Sequence, residues 1–278
     1  MKEKKPIRVI ASRADIIFKC PGAVHLIKKY KDENSPLYQV KSFVGSGEGK
    51  LVHDLLHLYG GTIGKNFFKD KGKQELIKLF DQAPPEIQRY KHPSIDFMDV
   101  LLGRLSLDKS CKLHRILPEF ELNTFFENEK QKFFLHSRVD LAVITKNEKD
   151  KLYEIFLVDY KTTGKPVFAE SSNQLLLGAY QIRDRFLKEL EARGDKGEYT
   201  LDISGVIANL KSTEYLFDEY LYTEPELINN VPSKLLKIQK DKYVPGYHCV
   251  FCPASLGCPK AFPKENLRDS LRKMEGGR

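Results

Sequence analysis

Three runs of β-branched and aromatic residues in the middle of the chain constrain its fold most. They extend from Ile116 to Phe126, from Phe133 to Ile144 and from Leu152 to Tyr160. A polar segment, Asn147 to Asp150, separates the last two runs and has the composition of a turn. The pattern predicts three β-strands that follow one another as a meander.

The segments around this meander alternate between helical and strand patterns. Before it, helical periodicity dominates from about Lys71 to Leu113. After it we expect a long helix over Ser171 to Ala192, strands near Tyr199 to Leu210 and Glu214 to Tyr222, and a basic helix over Glu224 to Lys240. This order predicts a mixed α/β core inside a helical wrapper, without a separate second domain.

Composition excludes several classes of protein. Of 278 residues, 41% are hydrophobic and 30% are charged, which is enough apolar material for a core and argues against disorder. No run approaches the roughly 20 apolar residues that span a bilayer, and no apolar signal segment follows the charged start. We therefore expect a cytoplasmic protein. Its net charge of +8 suits a polyanionic partner.

The spacing Cys249-x2-Cys252-x5-Cys258 is the most specific local pattern. Cysteines three positions apart can bind one metal centre from a single turn, and a third follows in the same loop. Three ligands are one short of the four that a closed zinc site or a cubane iron–sulfur cluster takes. The spacing leaves zinc and iron–sulfur both open.

The fourth ligand must come from elsewhere, and the candidates are Cys20, Cys111 and His248. Cys20 lies in a Cys-Pro-Gly turn, a loop setting like that of the other three. Cys111 falls in a stretch predicted to be helical, which favours a small buried apolar role. Closing a loop from Cys20 to Cys249 costs roughly 5 kcal/mol of chain entropy, so a metal centre there acts mainly as a structural clasp.

A second constellation lies at the ends of the predicted strands. Asp140 ends one apolar run, and Asp159-Tyr160-Lys161 ends the next. Strand alternation places Asp159 and Lys161 on one face. Two carboxylates at ~4 Å repel by about 4 kcal/mol at an effective dielectric near 20, and a divalent cation turns that repulsion into binding. A surface ion pair is the alternative interpretation.

His53 follows Gly49 by about one turn of a predicted helix. A glycine at this point allows the helix end to approach another part of the backbone closely. A lone helical histidine is more often structural than a ligand, so His53 gains significance only together with the acidic residues.

Taken together, these motifs resemble the RecB-type branch of the PD-(D/E)XK nuclease superfamily, in particular its iron–sulfur members. Those members include CRISPR-adaptation nucleases, the AddB-type helicase–nuclease subunit, and phage nucleases. The residues that carry the resemblance run along nearly the whole chain: Cys20-Pro-Gly, Gly49-x3-His53, Glu119, Asp140, Asp159-Tyr-Lys161-Thr162, Gln174 and Cys249-x2-Cys252-x5-Cys258.

The resemblance implies a restriction-endonuclease-like mixed sheet with a helical insertion. It implies that His53, Asp140, Asp159 and the carbonyl of Tyr160 hold Mg²⁺ or Mn²⁺, and that Lys161 orients or activates the attacking water. Glu119 and Gln174 are implied as supporting site residues. It also implies a [4Fe-4S] clasp that joins the two ends of the chain, with the ligands Cys20, Cys249, Cys252 and Cys258.

Two positions depart from the family pattern. The family usually has a glycine shortly before the first aspartate, where this chain has His136-Ser137-Arg138. It also usually has a tyrosine four positions after the glutamine, where this chain has Gly178. Tyr180 lies near the opposite helix face, so we expect it to lie outside the site.

Basic residues near the cysteine loop fit a DNA-handling function. The DNA-binding candidates are Lys234, Lys237, Lys240, Lys242 and the aromatic Tyr247. Such lysines bind the phosphate backbone without sequence preference, and a tyrosine can stack on a base. A solvated basic face with an anchoring tyrosine is the alternative for any one of them.

The function expected from these residues is metal-dependent DNA cleavage, as an exonuclease on single-stranded DNA or DNA ends. The alternatives are a non-catalytic DNA-binding or assembly subunit and an RNA-directed nuclease. Partners expected from the resemblance are a helicase, a recombinase or a CRISPR-adaptation protein. We divide the single domain into a cluster segment (1–30), a helical region with His53 (31–114), the core (115–222), and a basic helix with the cluster loop (223–278).

Overall fold

The computed structural model describes residues 6–38, 47–63, 70–106, 110–129, 131–163, 165–212 and 214–261. The strands are β1 (Ile7–Ile10), β2 (Cys111–Glu127), β3 (Lys132–Asn147), β4 (Leu152–Lys161), β5 (Thr200–Asn209) and β6 (Phe217–Tyr222). The helices are α1 (Ala14–Lys19), α2 (Ala23–Asp32), α3 (Gly47–Ile63), α4 (Asp70–Asp81), α5 (Lys91–Ser106), α6 (Asn173–Arg193) and α7 (Glu224–Leu236). Within these residues, no helix has the length and apolar character to cross a membrane.

The strands form one mixed, open sheet in the order β1-β3-β4-β5-β6, with β2 also paired to β3. The β1–β3 and β4–β5 pairs are parallel, and the remaining pairs are antiparallel. Helix α6 makes the crossover that a parallel β4–β5 pair requires. The predicted mixed α/β class is confirmed.

Strand β3 shares one of its edges between two partners. Strand β1 pairs with residues 133–136, and β4 pairs with residues 141–147 of the same strand. Strand β2 pairs with β3 along nearly its full length. Residues 137–140 therefore lie between the two partners, where the sheet opens along this edge.

The alternation of β3 reverses at this opening. Val139 packs in the core under α6, whereas Leu141, two residues later, packs in the core under α3–α5. The paired strand β2 makes the same change between Phe120, which faces the α6 side, and Pro118, which faces α3. Glu119 lies between them with φ +46°, a backbone conformation that non-glycine residues seldom adopt.

Each sheet face is buried against its own helices. On one face, α6 and α7 cover residues such as Ile155 and Leu157 of β4. On the other face, α3, α4 and α5 cover Phe156 and Val158 of the same strand. A smaller cluster joins α1 and α2 to the C-terminal segment; its buried members include Cys20, Leu26, Tyr30, Cys252 and Ala254.

Most predicted elements agree with the structure to within a few residues. The meander strands and the long helix are confirmed, and the side chain of Ser172 caps α6 by accepting a hydrogen bond from Leu175 N–H. Helix α7 begins as predicted, with a capping box at Thr223 and Glu226, but it ends at Leu236.

One local prediction was wrong. Cys111 is not in a helix, because β2 starts earlier than the apolar pattern indicated and Cys111 is its first residue. The Cys111 thiol donates to Glu154 Oε2 at 3.4 Å. The short strand β1 was not predicted. A four-residue strand is too short for its alternation to be read, and its partner lies far along the chain.

Candidate functional site

An open cavity of about 800 Å³ lies where the edge of β3 opens. Its walls come from the first turns of α3, the middle of β2 and β3, the end of β4 and the turn after β1. We call it the carboxylate cavity. The predicted site residues that line it are His53, Glu119, Asp140, Tyr160 and Lys161.

Asp140 lies at the reversal of β3 and is held from two sides. Its Oδ2 accepts a hydrogen bond from Tyr160 N–H at 2.8 Å and lies 3.4 Å from His53 Nδ1. Burial opposes ionisation of Asp140, but the hydrogen bond and charge of His53 outweigh burial and lower the pKa of this carboxyl. Asp140 is therefore an anion at neutral pH.

Asp159 and Lys161 lie on one face of β4, as alternation predicted. Lys161 Nζ lies 2.6 Å from Asp159 Oδ2, and Asp159 is only 3% exposed. Burial raises the pKa of Asp159 even though Lys161 opposes the shift. The buried Asp159 carboxylate is thus compensated by the Lys161 ammonium group.

His53 is positioned by α3 and by a tight contact at Gly49. A Cβ on Gly49 would lie 2.6 Å from Thr162 Oγ1, so the glycine lets α3 approach the segment that follows β4, as expected. The imidazole meets the Tyr160 ring edge-on, with centroids 5.9 Å apart. Burial disfavours the protonated ring, but Asp140 outweighs burial and raises the pKa of His53.

Glu119 reaches the rim of the same cavity from β2. Its carboxylate forms an ion pair with Arg138 and lies 3.7 Å from His57 Nδ1. Sequence reasoning missed both partners. Arg138 was visible in principle, because it precedes Asp140 by two positions at the end of an apolar strand. Arg138 gives the cavity a second cationic side chain besides Lys161.

Gln174 does not line the carboxylate cavity; it lies in the first turn of α6. Tyr180 packs against the core, as expected for a residue outside the site. The unexpected residue is Gln181, which is fully buried. It accepts a hydrogen bond from Ser137 and donates to the carbonyls of Leu122 and Leu135 at 3.1 and 3.0 Å. Ser137, a departure from the family pattern, thus ties β3 to α6.

The four predicted cluster cysteines line one cavity, which we call the cysteine cavity: Cys20, Cys249, Cys252 and Cys258. Val244 N–H donates to Cys20 Sγ at 3.4 Å. Burial raises the pKa of Cys20, and it raises that of Cys252 to about 11. His248 also lines this cavity, but its Nε2 lies 2.8 Å from the carbonyl oxygen of Val244.

Hydrogen bonds join the two sequence segments that form the cysteine cavity. Tyr30 OH donates to the Gly257 carbonyl at 2.7 Å, and Gly22 N–H donates to the Lys242 carbonyl at 2.8 Å. A Cβ on Gly22 would lie 2.8 Å from the Tyr243 ring, so only glycine fits without displacement. The two ends are therefore joined by hydrogen bonds and close packing.

Both cavities have donor sets suited to a metal centre. Carboxylates with one imidazole fit Mg²⁺ or Mn²⁺, and four thiols fit zinc or an iron–sulfur cluster. Among the residues that the structure describes, no group of three or more His, Cys, Asp and Glu side chains is already arranged to hold a metal ion.

The predicted DNA-binding lysines lie outside the carboxylate cavity. Lys237, Lys240 and Lys242 are exposed. Lys234 is half-buried: its Nζ donates to Asn173 Oδ1 at 2.8 Å and lies 5.5 Å from the centroid of the Phe18 ring. The side chain of Tyr247 lies outside the described residues.

Comparisons with solved structures find several similar chains, of which SSO0001 is one. The crystal structure of SSO0001 aligns with 94% of this chain and 90% of its own, at 14% identity and a TM-score of 0.40. No protein-family model matches the sequence, and no curated protein matches it either.

Proposed function

We propose that this chain is a Mg²⁺- or Mn²⁺-dependent DNA nuclease of the RecB-type branch of the PD-(D/E)XK superfamily. One observation carries the proposal. His53, Asp140 and Lys161, from α3, β3 and β4, line the carboxylate cavity, and the buried Asp159 contacts Lys161 beside it. The proposal includes a restriction-endonuclease-like core, for which the mixed sheet with helices on both faces is the supporting feature.

The residues that would hold the metal are His53, Asp140, Asp159 and the carbonyl of Tyr160. Burial and the charge of Asp140 both raise the pKa of Asp159, and a divalent cation beside the two carboxylates would offset both effects, which supports this assignment. A bound Mg²⁺ or Mn²⁺ supplies positive charge to the phosphate and lowers the pKa of water. Tyr160 N–H keeps Asp140 in place throughout the reaction.

Lys161 acts as a fixed cation beside the scissile phosphate. Burial favours loss of its proton, but the charge of Asp159 outweighs burial and raises the pKa of the ammonium group. A protonated Lys161 orients water through its N–H groups and stabilises negative charge that develops on phosphate oxygens. Arg138, exposed on the rim, binds a neighbouring phosphate.

The four cysteines would hold a [4Fe-4S] cluster that clasps the two ends of the chain. Their shared cavity and the N–H donated to Cys20 support this assignment. Protein purified without oxygen should be brown and absorb near about 400 nm. If the purified protein is colourless and contains one zinc ion per chain, the iron–sulfur assignment is wrong and the four cysteines bind zinc instead.

Cleavage of end-labelled and circular single-stranded DNA tests the proposed activity. We expect wild-type protein to degrade the linear strand in Mg²⁺ or Mn²⁺ and to need a free end. Lys161→Ala should lose about 10²–10³-fold in rate. Lys188→Ala, which removes an exposed lysine paired with Asp184 on α6, is the matched control and should cleave normally.

Two outcomes would overturn the nuclease proposal. Equal cleavage by wild type and Lys161→Ala would show that the activity does not come from this site. DNA binding without metal-dependent turnover would favour a non-catalytic DNA-binding or assembly subunit. Competition by RNA tests the preference for DNA, and addition of a helicase or recombinase tests for a partner.

A further inference from the structure

A pair of phenylalanine rings, one exposed and one half-buried, lies on the sheet toward the ends of β2 and β3. Phe125 on β2 and Phe134 on β3 face each other across the pair of strands, with ring centroids 5.2 Å apart. Phe125 is 60% exposed. Large aromatic rings at the surface lose the benefit of burial, and such a pair often marks a binding surface.

Two cations flank this pair. The guanidinium of Arg8 lies 5.7 Å from the Phe134 centroid, and Lys132 Nζ lies 5.4 Å from that of Phe125. Arg8 is exposed and pairs with Phe134 in the β1–β3 register. Lys132 also lies 3.6 Å from Glu127 Oε2, a rim contact that a competing anion can replace. Arg8, Phe125, Lys132 and Phe134 together form what we call the Phe125–Phe134 face.

Strand geometry connects this face to the carboxylate cavity. Ser137 and Val139 point toward α6, so Phe134, His136 and Arg138 point to the opposite side of β3. His136 and Arg138 line the carboxylate cavity. At about 3.3 Å per residue, Phe134 lies about 20 Å along the strand from Asp140, one row beyond His136. The face is therefore the outward continuation of the cavity wall.

Alternating aromatic rings and cations match one class of ligand. Nucleobases stack on aromatic rings, and phosphates pair with Arg and Lys, whereas duplex DNA keeps its bases enclosed. We propose that the Phe125–Phe134 face binds the single-stranded DNA that leads to the carboxylate cavity, with bases on the two rings and phosphates on Arg8 and Lys132. This inference rests on the proposed nuclease function and adds the path of the strand.

The chain provides a matched control for the test. Phe168 is 42% exposed and also forms a ring pair, with Tyr215 at 5.6 Å, but it belongs to the loop between β4 and α6. Phe125→Leu and Phe168→Leu each remove one exposed ring and keep an apolar side chain. Affinity for a fluorescent single-stranded oligonucleotide is measured by anisotropy with Ca²⁺ in place of Mg²⁺, and melting temperatures verify the fold.

We expect Phe125→Leu to weaken binding about tenfold and Phe168→Leu to leave it within twofold. In cleavage assays Phe125→Leu should raise KM and leave kcat within twofold, because the ring lies far from the reacting phosphate. The logarithm of the affinity falls as the logarithm of the salt concentration rises. Arg8→Gln and Lys132→Gln should each make this negative slope shallower by about 0.7, because each removes one phosphate contact.

The failures of the two proposals are distinguishable. Absence of metal-dependent cleavage by wild type overturns the nuclease function, whatever the oligonucleotide affinity. Wild-type cleavage together with unchanged affinity in Phe125→Leu overturns the strand path alone. Weaker binding in Phe168→Leu but not in Phe125→Leu, or equal losses for duplex and single strand, also overturns it. Tighter binding of RNA than of DNA would overturn the choice of ligand.

Discussion

The carboxylate cavity lies on strands of a central sheet, whereas the cysteine cavity lies among helix ends and short 3-10 turns. Asp140 and Asp159 are held by β3 and β4, whose neighbouring residues fill two hydrophobic cores. Cys20 follows α1, and the other cysteines lie in or beside the turns Tyr247–Val250 and Ser255–Gly257. The strands that hold the carboxylates are stabilised by the two large hydrophobic cores. Cys20 and Cys252, in contrast, are themselves members of the small cluster that joins the two ends of the chain.

This difference predicts opposite responses to substitution. A carboxylate side chain can change while strand pairing and core packing stay intact, so activity falls and stability remains. A cysteine substitution removes a member of the small cluster that joins the chain's two ends, so stability falls first. The following substitutions test this contrast, from the largest effect to the smallest.

Asp140→Asn should lower the rate of DNA cleavage by about 10³-fold, because it removes a charge from the proposed metal site. The amide oxygen can still accept the Tyr160 N–H, so we expect the melting temperature to stay within a few degrees. Cleavage kinetics and thermal unfolding measure the two effects. A rate within tenfold of wild type would mean that Asp140 is not part of the active site.

Cys252→Ser should destabilise the metal-loaded protein by about 3 kcal/mol, because a cross-link between distant segments is lost. Cys111→Ser is the control: this thiol lies on β2, outside the cysteine cavity, and a serine can also donate to Glu154. Denaturant unfolding gives both free energies. Equal losses would show that the cysteine cavity has no special role in stability.

Gln181→Leu should cost about 1–3 kcal/mol, because it removes the partner of buried Ser137 and a donor to two carbonyls. Gln74→Leu, on the exposed face of α4, should change the free energy of unfolding by less than about 0.5 kcal/mol. At temperatures where both variants are folded, cleavage rates should match wild type. A specific loss of rate in Gln181→Leu would give this network a role in the site.

Gly49→Ala should have the smallest effect, a loss of about fivefold in cleavage, because its Cβ meets Thr162 Oγ1 and displaces α3 with His53. Gly47→Ala places a Cβ in open space and serves as the control. The double variant Gly49→Ala with Thr162→Ala should recover most of the rate. Failure of that rescue would place the cause outside this contact.

Local patterns predicted the parts of the molecule that local forces determine. The apolar runs gave the meander strands, and alternation along β4 placed Asp159 beside Lys161. The close spacing of Cys249, Cys252 and Cys258 predicted that they share one environment, which the structure confirms. In each case the residues concerned are neighbours in sequence as well as in space.

Other features depend on partners that are distant in sequence. The reversal at Asp140 coincides with φ +46° at Glu119 on the paired strand β2, and a glutamate does not indicate such a conformation in the sequence. Gln181 is one polar residue on an amphipathic helix, and its burial becomes clear only when Ser137 lies opposite. Strand β1 is recognisable only through its pairing with residues 133–136.

The packing of α1 and α2 against the C-terminal turns also sets an order for folding during synthesis. Ribosomes add about 5–20 residues per second, so Cys249 emerges on the order of 10–50 s after Cys20. During this interval Ile16, Leu26 and Ile27 lack Cys252 and Ala254, the C-terminal residues of their cluster. A chain that stops before residue 249 keeps this apolar surface exposed, and the cell's proteases and chaperones can recognise it as unfinished.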